Sequence, residues 1–143
     1  MNEIVKALNV KYYLIYTLTI VLTFAGYFLD YHDFFRINCN VSLFNILPIV
    51  VVAVSVVLIV AGFVLFELKK KSIATIENQW ERNRTYIRYA GYRLYLIGIC
   101  ILIGIPVFYV TKNSITLYSI GLAAVALILS KPSESKIEND LNI

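Results

Sequence analysis

The sequence predicts an all-α, polytopic integral membrane protein: four transmembrane helices in a bundle, with an amphipathic cytoplasmic helix between helices two and three. Three observations predict it. The 143-residue chain is 59% hydrophobic with a mean hydropathy of +0.74, more apolar surface than a soluble core of this length can hide. It contains four apolar runs near the roughly 20 residues that cross a bilayer core about 30 Å thick as a helix. Its charge is gathered between the second and third runs, where residues 67–93 hold seven Lys or Arg and three Glu, a surplus equal to the chain's formal net charge of +4. The runs leave little chain for anything else, so residues 1–143 are expected to form one membrane domain.

The first span is residues 12–29, bounded by Lys11 and Asp30. It is longer than a usual signal-peptide core and no small-x-small cleavage pattern precedes the charges that follow, so it is expected to be retained. The second, residues 44–66, has Pro48 in its first turns, where a missing backbone donor costs little. In the loop 67–93, Ile73, Ile76 and Trp80 recur at i, i+3 and i+7 among Lys, Glu and Gln, which predicts one apolar stripe on a helix lying near the headgroups. The third span, residues 94–111, carries Pro106 and with it a predicted kink that membranes tolerate. Only Lys112 and Asn113 separate it from the fourth, residues 114–130, so these two must form a tight antiparallel hairpin. Pro132 stops the fourth span, and the tail, residues 131–143, has Ser135 and Glu138 at capping-box spacing with Ile137 and Leu141 on one side of a short helix. Small residues at i, i+4 mark faces where helices can approach closely: Thr19 with Thr23, Cys100 with Gly104, Ser119 with Ala123, and Ala126 with Ser130.

Orientation follows the Lys and Arg count in short loops. The N-terminus, the loop 67–93 and the tail together carry eleven, and the two remaining connections carry Arg36 and Lys112. The expectation is a multi-pass protein of a cell membrane, of the bacterial inner-membrane kind, with both termini cytoplasmic. Lys69, Lys70, Lys71, Trp80, Arg82, Arg84, Arg88 and Arg93, interleaved with Tyr86, Tyr89, Tyr92 and Tyr95, read as an interfacial belt. Its partners are the lipid bilayer and anionic lipid headgroups, at about 1 kcal/mol per basic residue near the surface. Aromatics alternating with basic residues also suit nucleic acid, but the belt accounts for every one of them, and no nucleic-acid partner is expected.

Asp30, His32 and Asp33, with Cys39 nearby, form the one site-like cluster outside the basic loop. Such a group can hold a divalent metal or tune a histidine, yet its spacing matches no strong metal signature, and a polar turn at a membrane edge accounts for it equally. Cys100 falls inside the bilayer, too far from Cys39 to pair with it, and reads as a packing residue. No catalytic, cofactor-binding or metal-ligating residue is assigned. The spans hold no ionisable group in their interiors, which argues against proton-coupled transport. The functional expectation is a small non-catalytic membrane protein that docks on, regulates or oligomerises with membrane partners. An oligomeric channel or passive transporter is the alternative, and an enzyme subunit the third reading.

The orientation is testable with single cysteines at Ser72 and Ser42, in a background lacking Cys39 and Cys100, exposed to an impermeant thiol reagent. In intact cells Ser42→Cys is expected to label and Ser72→Cys to stay protected. Labelling of the Ser72 variant contradicts the assigned sidedness.

Overall fold

The computed structural model describes residues 2–32 and 46–142, and these are almost entirely helical. Among the described residues five helices follow one another: α1 (Asn2–Tyr31), α2 (Leu47–Ala74), α3 (Gln79–Thr111), α4 (Ser114–Leu129) and α5 (Glu134–Leu141). α1, α2 and α3 are long and apolar enough to cross a membrane, and α4 with α5 makes a fourth candidate bent by 75° at the break between them. The first two residues of the second expected span, Asp33 and Cys39 lie outside the described residues.

Length explains where the polar turns go. At 1.5 Å per residue, 30, 28 and 33 residues make helices of about 45, 42 and 50 Å, each longer than a hydrocarbon core of about 30 Å. The excess of all three gathers at one end. There Leu8 of α1, Glu67 of α2 and Tyr86 of α3 meet Asp140 of α5 around a shared cavity. α4, with 16 residues, spans only about 24 Å, and α5 turns from its end to lie against the overhangs, burying Ile137 and Leu141 as their spacing predicted.

Local chemistry sets the boundaries. Pro48 stands in the first turn of α2. The 112–113 hairpin closes as expected: Lys112 adopts the left-handed conformation at φ 53°, and the Asn113 side chain accepts a hydrogen bond from the Ile115 N–H at 2.9 Å to start α4. α5 is capped by Ser133, whose hydroxyl accepts from the Lys136 N–H at 3.4 Å, and not by Ser135.

The expected amphipathic helix in the 67–93 loop is not a separate element. α2 continues to Ala74 because no Gly or Pro interrupts it, and α3 begins at Gln79 with the Asn78 side chain accepting from the Trp80 N–H at 3.1 Å. The four-residue link 75–78 breaks the stripe. Ile73 ends α2 in the core at 2% exposure, Ile76 lies in the link, and Trp80 opens α3 at 68% exposure.

α3 is the helix on which α1, α2 and α4 pack. α1 runs parallel to it, with Ile15 set into Gly98 so closely that a Cβ there would stand 3.0 Å from Ile15 Cδ1. Lys11 lies against Gly91, and the Tyr109 ring fills the space at Gly26. On another side Gly104 receives Ile120 of α4, where a Cβ would come within 2.7 Å of its Cγ1. α2 and α4 meet through a buried hydroxyl pair, Ser119 donating to Ser55 at 2.9 Å, with the Cys100 thiol directed at the Ser55 carbonyl at 3.8 Å. Cys100, Gly104, Ser119, Ala123, Ala126 and Ser130 are buried, as their spacing implied. Thr19 and Thr23 join no two described helices through their hydroxyls, which donate to the Ile15 and Thr19 carbonyls of their own helix, each at 2.8 Å; Thr23 is exposed, and its carbonyl accepts from Tyr109 of α3.

Two glycine substitutions separate this packing from general intolerance. Gly98→Leu forces Ile15 aside and is expected to cost about 1–3 kcal/mol, whereas Gly121→Leu, with no atom within 4 Å of its Cβ position, is expected to be nearly neutral. Thermal unfolding of the purified variants in detergent checks this. Equal losses in the two variants contradict the α1–α3 seam.

Candidate functional site

The end of the bundle where the overhangs collect holds most of the charged contacts among the described residues. Phe66 closes α2's apolar run and stacks edge-on against Tyr86 of α3, with ring centroids 5.7 Å apart. The Tyr86 hydroxyl donates to Asp140 of α5 at 2.8 Å. Tyr86 lies two turns before the apolar run that starts at Leu94; burial, and then its bond to Asp140, push its hydroxyl above the ordinary phenol range, so it remains a donor at neutral pH. Lys70 links the acids of two helices, 2.9 Å from Glu67 and 3.6 Å from Asp140. Lys136 turns back to cap α4, donating to the Leu129 carbonyl at 2.7 Å. These contacts fasten α5 beneath α2, α3 and α4.

Between them lies a cavity of about 200 Å³. Its charged lining consists of Arg93, Lys131 and Lys136 against Glu67 and Asp140. Arg93 is half-buried, and its guanidinium lies 4.1 Å from the Phe66 ring centroid and 5.5 Å from that of Phe63. Its Nε is fully buried and without a hydrogen-bond partner. Sequence reasoning placed Arg93 in a snorkelling belt and did not single it out. The signal available was the pairing of an Arg at the border of an apolar run with Phe63 and Phe66, which a register between α2 and α3 brings together.

The other belt residues do not converge on that cavity. Lys69, Lys71, Arg84 and Arg88 are exposed. Arg84 lies over the Trp80 ring at 5.3 Å, a local pair on the first turns of α3. Arg82 is half-buried, with its Nε unbonded.

At the opposite end, the Asp30 and His32 pair is taken apart by its surroundings. Asp30 forms an ion pair with Lys112 in the α3–α4 hairpin, which joins α1 to the far end of α3. His32 is exposed and sits edge-on to Phe28 and Tyr31, with ring centroids 4.6 and 5.5 Å away. Nearby, the Tyr109 hydroxyl donates to the Thr23 carbonyl at 3.0 Å. Among the described residues no three His, Cys, Asp or Glu side chains gather where they could hold a metal ion; Asp33 and Cys39 lie outside them. Cys100 is buried, its thiol donating to the Leu96 carbonyl at 3.2 Å. Comparison with known protein families, curated proteins and solved structures finds no match, so the chemistry of this chain is read from its own geometry.

Proposed function

We propose that this chain is a small, non-catalytic integral membrane protein of a cell membrane, with its basic end and both termini in the cytoplasm, that docks on or oligomerises with membrane partners. The observation that carries the docking is on α1. This helix leans on α3 by one face, and along its first half an open groove of about 670 Å³ passes Asn9, Tyr13, Leu14 and Thr17, with Glu134 of α5 at its foot. The Asn9 Oδ1 is buried without a hydrogen-bond partner. Leaving a buried amide oxygen unpaired costs about 1–3 kcal/mol. Asn9 stands just before the apolar run that starts at Tyr12, and a donor from another helix, seated in the groove beside the exposed Val10, Tyr13 and Leu14, would relieve that cost, as polar side chains do between membrane helices.

The rest of the interior supports a role in association over one in chemistry. The Ser55 and Ser119 hydroxyls pair with each other, and Thr19, Thr23, Thr111 and Ser130 bond backward to their own helices. Their donors are spent on holding the bundle together. The exposed basic residues Lys69, Lys71, Arg84 and Arg88 suit anionic headgroups, each contributing about 1 kcal/mol of weakly directional attraction.

A photo-crosslinking residue at Leu14, which is exposed beside the groove, tests this against a control at Ile103, exposed on α3. In native membranes the Leu14 position is expected to capture a discrete protein, at twice the chain mass for a second copy or at another mass for a distinct partner, and Ile103 to capture lipid. Lipid adducts alone at both positions contradict docking through α1.

A further inference from the structure

We propose that the cavity beneath Arg93 is a binding site for a single phosphodiester group. Four features converge there. A guanidinium is half-buried on the faces of Phe66 and Phe63, and among the described residues it has no hydrogen-bond or ion-pair partner. Its Nε is sealed from solvent and unbonded. Buried charges are ordinarily paired, because the desolvation of an unpaired one is not recovered. The missing partner is an anion, and beside Arg93 lies a partly open cavity of about 200 Å³ in which one fits.

The acids that line the same space do not fill that role. Glu67 is engaged by Lys70, at 2.9 Å, and Asp140 accepts from Tyr86 at 2.8 Å with Lys70 on its other side at 3.6 Å. Lys136 is spent on the α4 carbonyls, which leaves the exposed ammonium of Lys131 beside the cavity as a second cation for the ligand. Four cations, Arg93, Lys131, Lys136 and, just outside the lining, Lys70, stand against two carboxylates, Glu67 and Asp140, so the site as a whole attracts an anion. The apolar side chains of Leu8, Phe66 and Leu94 beside Arg93 suit a phosphate that carries ester substituents. A planar fork such as Arg93 also recognises two phosphate oxygens at once, whereas an ammonium meets them as a point charge.

The site goes beyond the docking proposed for α1, because it uses none of the groove residues and depends on a different face of the bundle. It also differs from diffuse attraction of the basic end to a charged surface. Diffuse attraction counts charges and ignores their identity; this site needs a guanidinium at position 93. Two sources supply such a group, an anionic phospholipid in the adjoining leaflet or a soluble phosphodiester.

Titration calorimetry of the full chain, purified in a maltoside detergent free of phosphate, separates these. The probes are short-chain phosphatidylglycerol, its deacylated headgroup glycerophosphoglycerol, and inorganic phosphate. Phosphatidylglycerol is expected to bind one per chain, and inorganic phosphate more weakly. Arg93→Lys keeps the charge and the aromatic contacts, so it guards against simple misfolding, and is expected to weaken binding about tenfold through loss of the fork. Lys131→Gln is expected to weaken it several-fold, and Arg84→Gln, whose side chain lies over Trp80 away from the cavity, to leave it unchanged. Binding of glycerophosphoglycerol with the same dependence on Arg93 assigns the site to a soluble diester as well, and binding of the acylated form alone assigns it to lipid. The proposal is overturned if no probe binds saturably, or if Arg84→Gln and Arg93→Lys reduce binding equally.

Discussion

The whole arrangement depends on how closely other helices can approach α3. Surrounded by hydrocarbon, helices gain little by hiding apolar side chains from one another, so association relies on packing contacts and on hydrogen bonds made between them. α3 meets that requirement on several sides at once. Gly91 and Gly98, two turns apart and therefore on one face, admit Lys11 and Ile15 of α1, and Gly104 admits Ile120 of α4. On the α2 side the small partner is reversed, with Gly62 of α2 lying against the backbone of Arg93. Because α1 runs parallel to α3, its first turns come to the same end as the start of α3 and the end of α2. Ile4 and Leu8 are thereby buried in the same core cluster as Ile137 and Leu141 of α5.

That convergence gives the two ends of the bundle different chemistry. At one end, long overhangs, three helix termini and the bent tail enclose a cavity with a half-buried guanidinium. At the other, among the described residues, a two-residue turn, the Asp30–Lys112 ion pair and the Tyr109 hydrogen bond to the Thr23 carbonyl hold α1 to α3 and the hairpin. The polar groups between the ends are committed to each other, as in the Ser55–Ser119 pair. Among the described residues the exceptions are Asn9 beside the α1 groove, Arg82 in the first turns of α3, Arg93 above the cavity and Thr116 inside α4. Asn9 and Arg93, which lie beside the α1 groove and the cavity, are the basis for the proposed docking and for the proposed phosphodiester site.

What could be read in the sequence was whatever local pattern and bilayer thickness determine. The apolar runs, Pro48 at a helix start, the Lys112–Asn113 hairpin and the Ile137/Leu141 face of the tail all follow from spacing within one segment. The stripe of Ile73, Ile76 and Trp80 misled because periodicity does not register a break, and the Asn78 cap puts one inside it. Thr19 and Thr23 misled because a threonine hydroxyl in a helix can satisfy itself on its own backbone. Gly26, Gly91 and Gly98 went unremarked, since each owes its importance to a side chain on another helix. The site was the least legible part: Tyr86 and Asp140 are 54 positions apart, and Asp30 finds its partner in Lys112 rather than in the neighbouring histidine. Arg93 looked like one more belt residue until the α2–α3 register set it on Phe66.

The central claim is that α1 packs on α3 and not on α2, its neighbour in sequence, and the most direct measurement of it is disulfide trapping in native membranes. In a chain lacking Cys39 and Cys100, Ile15→Cys combined with Gly98→Cys is expected to cross-link rapidly under mild oxidant. Ile15→Cys combined with Ser55→Cys, which places the second thiol in the α2–α4 contact, is expected not to. Cross-linking of the 15/55 pair with none of the 15/98 pair would contradict the arrangement around α3.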